Sequence, residues 1–413
     1  MKMLVSGSAR LQGQIVVSTS KNAILPILAA SMLSSGTVIV RQIPLIRDVH
    51  IILALLHQMG LKVDHDQDRI AISGSPQHHV PDYELCRQIR ASFLLMGPLL
   101  ARCGQVQISL PGGCAIGTRP IDLHLKGFEA LGASITMSGG CVNAAARRLT
   151  GTHVYLDFPS VGATENIMMA AALARGTTYI ENAALEPEVV DLAGFINSMG
   201  GRVSSAGSNV IKVDGVSSLG GTTYTPIPDR IEAGTYMVAA AACGGDVLIN
   251  NVIPEHIKAT TAKLLESGAK IEEQADAVRV SRWQEIRPVY IKTLPYPGFP
   301  TDMQAQFMAY LCSARGSSII TESVFENRFM HVNQLLRMGA QIITEGRTAV
   351  VRGIPQLSGT TVKATDLRAG AALLIAAMAA SGETIIEESE HIDRGYENIV
   401  SKLNHLGAKI YYL

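Results

Sequence analysis

Aromatic side chains are scarce in this chain, 5% of its 413 residues with a single tryptophan, and they are not interleaved with basic residues. No stacking platform for a single nucleic-acid strand is offered. An excess of charge is missing too, because Lys+Arg and Asp+Glu both total 35. No global field draws a polyanion, and any anionic ligand must be held by a local cluster. Long apolar runs are absent: the stretch around "AGAALLIAAMAASG" is well short of the ~20 residues a membrane helix needs. The N-terminal "MKMLVSGSARLQGQIVV" lacks the apolar core of a signal peptide. Six cysteines (86, 103, 114, 141, 243 and 312) show neither CxxC pairing nor a regular disulfide spacing. These absences lead to the expectation of a soluble, reducing, cytoplasmic protein with free thiols. "GGCAIG" is not a Walker loop, no GxGxxG follows a strand, and the eleven histidines, His78 and His79 included, form no HExxH. No metal and no cofactor are expected.

What the chain does have is repetition. Hydrophobic residues make up 47% and charged residues 17%, so disorder is not expected. The length exceeds the roughly 250–300 residues at which one core stops growing. Helix-like runs rich in Ala, Leu and Met recur in "NAILPILAASMLSSGTVIV", "ATENIMMAAALARGTTYI", "IEAGTYMVAAAACGGDVLI" and "TDLRAGAALLIAAMAASGETII". A second helix in each copy ends in glycine, at Gly60, Gly132, Gly200, Gly268, Gly339 and Gly407, spaced 72, 68, 68, 71 and 68 residues apart. Glycine there suits a helix C-cap, which needs the left-handed conformation. Short β-branched runs such as "LKVDHDQDRIAIS" and "AKIEEQADAVRVS" predict hairpins. Each unit is thus expected to be βαβαββ, giving six units in an α/β protein.

A period near 70 exceeds that of the common solenoids. Two globular domains of three units each are expected instead. The first would span 21–227, and the second 1–20 plus 228–413, with a boundary near "GTTYTPIPDRIEAG". The chain would then cross twice between domains and leave an active-site cleft between them.

Residues beyond the needs of the scaffold are the informative ones. Lys21 and Asn22 open the first helix, where free N–H groups favour an anion; a solvated lysine beside a cap is the alternative. Arg90, Asp302, Asp366 and Arg368 take the same pre-helix place in other units, and Arg328 and Arg394 precede second helices. Each alone suits an ordinary cap or a surface charge. Together with Lys21 and Arg119 they suit a cation-lined cleft for a substrate with several anionic groups. Asp302, in "FPTDMQ", is either an N-cap or a carboxylate able to take a proton from a substrate hydroxyl. Cys86, Cys103, Cys243 and Cys312 fit small buried hydrophobes. Cys114 does not, since "PGGC" predicts an exposed turn and nearby Arg119 would favour a thiolate.

The segments "KNAILPILAASML", "IRASFLLMGPLLA", "LPGGCAIGTRPIDLHLKG", "SVGATENIMMAA", "GFPTDMQAQF", "TESVFENRFMHV", "ATDLRAGAAL" and "HIDRGYE" resemble, in order from about residue 4 onward, the enolpyruvyl transferases. The branch they resemble is the one that acts on UDP-N-acetylglucosamine. The resemblance implies two domains, each an inverted α/β barrel-like prism with helices inside. It implies transfer of the enolpyruvyl group of phosphoenolpyruvate to the sugar 3′-hydroxyl with release of phosphate, by addition then elimination. Cys114 would be the proton donor and form a covalent adduct with phosphoenolpyruvate, and Asp302 the base. Lys21, Arg119 and Arg394 would grip phosphate and carboxylate, supported by Arg328 and Arg368, with Asn22 beside them. The nucleotide sugar would meet Arg90, Arg119, Pro120, Ile121, Asp122, Leu123, Ser160, Val161, Gly162, Asp302 and Val324. Some members carry Trp where this chain has Phe93-Leu94, and lysine where it has Phe158-Pro159, which changes the uridine contacts. The expected partners are the two small substrates alone, with no nucleic acid or membrane, and the expected state is a monomer. A shikimate-specific sibling lacks this cysteine loop, and a non-catalytic repeat protein needs no paired acid and base.

Overall fold

The computed structural model describes residues 1–66, 69–110, 117 and 120–413. Within these it forms two compact units, one of 1–18 with 228–413 and one of 19–110 with 120–227. They are called here the terminal and the central unit.

In the terminal unit three helices, Arg230–Ala242, Gln304–Leu311 and Leu367–Ala379, pack on one another. Every residue from Ile231 to Ala241, from Gln304 to Leu311 and from Arg368 to Met378 is buried. Alanine explains this, because its small side chain lets helices approach closely on all faces. Three four-stranded sheets surround them. Their strands alternate, as Lys2–Ser6 does, with Met3 and Val5 buried and the residues between them outward.

The central unit repeats this plan around Lys21–Ala30, Met96–Cys103 and Val161–Ala171. Ala23–Ala30 and Ala163–Ala171 are wholly buried. The helices therefore lie inside and the sheets outside in each unit, the inverted α/β arrangement expected.

All six repeat glycines have positive φ, between +91° and +100°. After each, the next residue donates its N–H to the carbonyl five back, from Leu61 to Leu56 at 3.2 Å through Ala408 to Leu403 at 3.1 Å. Six Schellman caps thus end the six outer helices.

The strands of one repeat do not all pair with one another. Gln12–Val16 precedes the first inner helix, yet it pairs in parallel with Asp246–Asn250 of the fourth repeat. Thr222–Tyr224 precedes the fourth inner helix, yet it pairs with Val38–Arg41 of the first. The two repeats exchange leading strands where the chain crosses between units. Lys2–Ser6 also enters the sixth sheet, between Glu383–Glu387 and Lys409–Tyr412. Among the described residues the second repeat has only three strands, Gln105–Ser109, Cys141–Ala145 and Ser134–Ser138. A single hydrogen bond from Gln107 N–H to the His79 carbonyl, 3.0 Å, stands where the fourth would begin.

Candidate active site

Asp302 lies in the 3-10 turn Thr301–Met303 that leads into helix Gln304–Leu311. It caps nothing, which removes the N-cap alternative. Its carboxylate instead faces two arginines: Arg328 Nη2 donates to Oδ1 at 2.7 Å, and Arg368 Nη2 and Nε donate to Oδ2 at 3.0 and 3.3 Å. The arginine side chains are 6% and 5% exposed and the carboxylate 27%. Burial alone pushes the Asp302 carboxyl up, but Arg368 and Arg328 overcome it and hold the group well below the usual carboxylate range.

Local sequence explains why both arginines point there. Asp366 caps Leu367–Ala379 by accepting from Arg368 N–H and Ala369 N–H at 2.9 and 3.0 Å, so Arg368 leaves the first turn of a buried helix. Its guanidinium sits 5.4 Å from the ring centre of Tyr396, and that of Arg328 sits 5.2 Å from Phe325. The Tyr396 hydroxyl lies 2.9 Å from Thr235 Oγ1. Arg394 closes the turn Ser389–Arg394, two residues before Tyr396. Arg328 Nη1 donates to Thr301 Oγ1 at 2.9 Å, and Thr301 Oγ1 donates to Glu322 Oε2 at 2.8 Å. Val324 N–H donates to Glu322 Oε1 at 2.9 Å. The terminal unit thus gathers Asp302, Arg328, Arg368 and Val324 into one hydrogen-bonded network.

In the central unit Lys21 is the first residue of its helix and pairs with Asp48 at 2.8 Å. The side chains are 12% and 4% exposed, so Lys21 is an ion-paired, largely covered cation and not a solvated one. Asn22 follows it, half-buried. Arg90 begins the turn Arg90–Leu95. Ser160 caps helix Val161–Ala171, its hydroxyl accepting from Ala163 N–H at 3.4 Å, which leaves Val161 and Gly162 in the first turn. Pro120 is exposed, and Ile121 precedes Asp122–Ala130, which contains Leu123.

Two residues absent from the sequence-based set link these helix starts. Asn166 Oδ1 accepts from Gly97 N–H at 2.7 Å, and its Nδ2 donates to the Phe93 carbonyl at 2.9 Å. The amide orientation is thereby fixed, so Nδ2 also donates to His124 Nδ1 at 3.1 Å. The His124 proton therefore sits on Nε2, which faces Gly162: a Cβ there would meet His124 Cε1 at 3.2 Å. Burial first, then the charge of Arg90, pushes His124 down to about 3, so it is neutral. Phe93 packs edge-on to His124 at 5.1 Å and Leu94 is buried, whereas Phe158 is 48% exposed.

Cys114 and Arg119 lie outside the described residues. Of the other thiols, Cys86 and Cys312 are buried as expected; Cys103 and Cys243 are half-buried, a correction. Burial raises Cys86 to about 11 and Cys312 to about 12. None of these is an activated thiol. Asp48, Glu322, Tyr396, His124 and Asn166 were missed. The signal available for Asn166 was the polar run Thr164-Glu165-Asn166 inside a helix otherwise of apolar and small residues, and the others carried none. Among the described residues no group of acidic, histidine or cysteine side chains is arranged to hold a metal ion.

The carboxylate held ionised between two covered arginines in the terminal unit, and the paired lysine at a helix N-terminus in the central unit, each suit chemistry on anionic substrates. Comparison with known proteins bears on which. Residues 5–403 match the family described as EPSP synthase (3-phosphoshikimate 1-carboxyvinyltransferase). The chain is 55% identical over 410 residues to UDP-N-acetylglucosamine 1-carboxyvinyltransferase 1 of Caldanaerobacter subterraneus subsp. tengcongensis, covering 99% of both chains. The chain belongs to the UDP-N-acetylglucosamine 1-carboxyvinyltransferase family. A second such relative, from Carboxydothermus hydrogenoformans, is 54% identical over 99% of this chain and 98% of its own. Among solved structures, the enolpyruvyl transferase NikO from Streptomyces tendae superposes with a TM-score of 0.89 at 25% identity, covering 99% and 98% of the two chains. EPSP synthase from Acinetobacter baumannii, at 17% identity and a TM-score of 0.77 over the whole of both chains, shares the fold. The six-repeat, helix-inside architecture of this enolpyruvyl transferase is thus common to both branches of the family.

Proposed function

We propose that this chain transfers the enolpyruvyl group of phosphoenolpyruvate to the 3′-hydroxyl of UDP-N-acetylglucosamine, releasing phosphate, as the first committed step of peptidoglycan precursor synthesis. The observation that carries the proposal is the Asp302 carboxylate clasped by Arg328 and Arg368, in a chain whose full-length relatives bear that enzyme's name.

In this reading Cys114 gives a proton to C3 of phosphoenolpyruvate, C2 becomes electrophilic, and the sugar oxygen bonds to it. Asp302 takes the hydroxyl proton. A proton then leaves C3 as the C2–O bond to phosphate breaks, restoring the double bond. Lys21, Arg119 and Arg394 hold the phosphate and carboxylate. Asn22, Arg90, the 120–123 and 160–162 segments and Val324 bind the nucleotide sugar.

The arginine clasp has a consequence for the base. With both arginines on it, Asp302 stays ionised through neutral pH but is a weak proton acceptor. Arginine contacts drawn toward the substrate anions raise its basicity when the hydroxyl is in place. We place the enzyme in the cytoplasm as a monomer; no helix among the described residues is long and apolar enough to cross a membrane. The test is phosphate release from phosphoenolpyruvate with UDP-N-acetylglucosamine or with shikimate 3-phosphate as acceptor. Release with the sugar nucleotide alone supports the proposal, and release with shikimate 3-phosphate alone overturns it.

A further inference from the structure

Glu322 follows strand Ser317–Thr321 and is 1% exposed. Four donors converge on it. Thr293 Oγ1 at 2.8 Å and the N–H groups of Val324 and Phe325 at 2.9 and 3.1 Å meet Oε1, and Thr301 Oγ1 at 2.8 Å meets Oε2. Thr293 Oγ1 in turn accepts from Ser323 N–H at 2.9 Å. The turn that carries Val324 is therefore wound around this one side chain.

On its other oxygen the network runs toward the reacting centre and has a direction. Thr301 has a single hydroxyl proton, and Glu322 takes it. The Thr301 oxygen is then left as an acceptor, and Arg328 Nη1 donates to it at 2.9 Å. That bond fixes the plane of the guanidinium, whose Nη2 reaches Asp302 Oδ1 at 2.7 Å. We infer that Glu322 is a positioning residue of the reaction: through Thr301 it aims Arg328 at Asp302, and through its other oxygen it sets the backbone at Val324. One buried carboxylate thereby fixes both the base and a turn that binds the acceptor. The inference rests on the reaction proposed above.

Every partner of Glu322 is a donor, so both oxygens must accept. Glutamine offers one. With its carbonyl kept on the three donors of Thr293, Val324 and Phe325, its NH₂ faces Thr301 and competes with Arg328 for the same oxygen. Glu322→Gln is thus a small change in shape that strikes the link to Arg328. Thr301→Val cuts that link from the other side and leaves Glu322 on Val324.

The experiment measures kcat and KM by phosphate release, varying UDP-N-acetylglucosamine at saturating phosphoenolpyruvate, across pH, for wild type, Glu322→Gln, Thr301→Val, Thr301→Ser and the double variant. Both Glu322→Gln and Thr301→Val are expected to lower kcat by about 10–100-fold, the scale of a small misplacement near the chemistry. Both move the acid limb of the kcat profile to higher pH, because a loosened Arg328 no longer holds the Asp302 proton off. Glu322→Ala, measured alongside, also raises the KM for the acceptor, because it leaves the Val324 and Phe325 N–H groups without their acceptor. Thr301→Ser restores kcat, and the double variant is no slower than Glu322→Gln, since the two changes break one path. Variants with wild-type kcat, KM and acid limb, altered only in melting temperature, overturn the inference and leave the reaction standing. A wild type that does not turn over UDP-N-acetylglucosamine overturns the reaction and the inference with it.

Discussion

Asp302→Asn removes one charge from the centre of the terminal unit's network and should be felt in two ways. The first is stability. Arg328 and Arg368 would face each other with side chains 6% and 5% exposed and no carboxylate between them. Breaking a buried pair costs about 3–5 kcal/mol, and a carboxylate a quarter open to water brings this to about 2–3 kcal/mol. The melting temperature should then fall by roughly 5–10 °C. Inorganic phosphate should restore more of it in the variant than in the wild type, because it supplies the missing counter-charge. The second is rate. Loss of a general base costs about 10²–10⁴-fold in kcat, read by phosphate release with both substrates saturating. A variant that melts lower yet keeps kcat within about tenfold of wild type would refute the assignment and leave Asp302 a structural counter-ion.

Other consequences follow from the proposed reaction and from the described residues. An epoxide that alkylates thiols, such as fosfomycin, should inactivate the wild type; Cys114→Asp should be resistant and retain turnover, since a carboxyl also supplies a proton, and full sensitivity of Cys114→Ser would contradict this. Lys21→Gln should raise the KM for phosphoenolpyruvate about 10–100-fold, the worth of one charge-assisted hydrogen bond, with Lys21→Arg milder; an unchanged KM removes Lys21 from the anion site. Burial, only partly offset by the Tyr224 hydroxyl at 2.7 Å and Ile227 N–H at 3.2 Å, pushes the Asp191 carboxyl up from 3.8 to about 6. A group raised on folding is stabilising when protonated, so the central unit should lose stability as pH rises from about 4 through about 6, by up to roughly 3 kcal/mol. Denaturant unfolding across that window should show the loss in the wild type and not in Asp191→Asn; equal slopes would refute it.

Local features were legible in the sequence. The six glycines announced six Schellman caps because a helix ends on the conformation of one residue. Alanine runs announced inner helices because small side chains on every face leave no polar side for water. The strand exchange was not legible: "LQGQIVV" and "GTTYT" carry no mark of which partner they pair with, since parallel pairing is decided by distant chain. Asp302 illustrates the same limit at the site. A residue ahead of a helix is ambiguous until Arg328 and Arg368, 26 and 66 residues away, are seen on its two oxygens. Glu322 carried no mark of its own in the sequence, and only the four converging donors give it a role. Lys21 was read as an anion-binding lysine or a solvated one, and its Asp48 partner comes from the neighbouring helix.

The most direct test of the central claim is to run the reaction in deuterated water with phosphoenolpyruvate and UDP-N-acetylglucosamine and to examine the product by mass spectrometry and NMR. Addition and elimination through a protonated C3 predicts one carboxyvinyl group on the 3′-oxygen, with solvent deuterium in its vinyl carbon and phosphate released in equal amount. A carboxyvinyl product free of deuterium, or no transfer to this acceptor, contradicts the account.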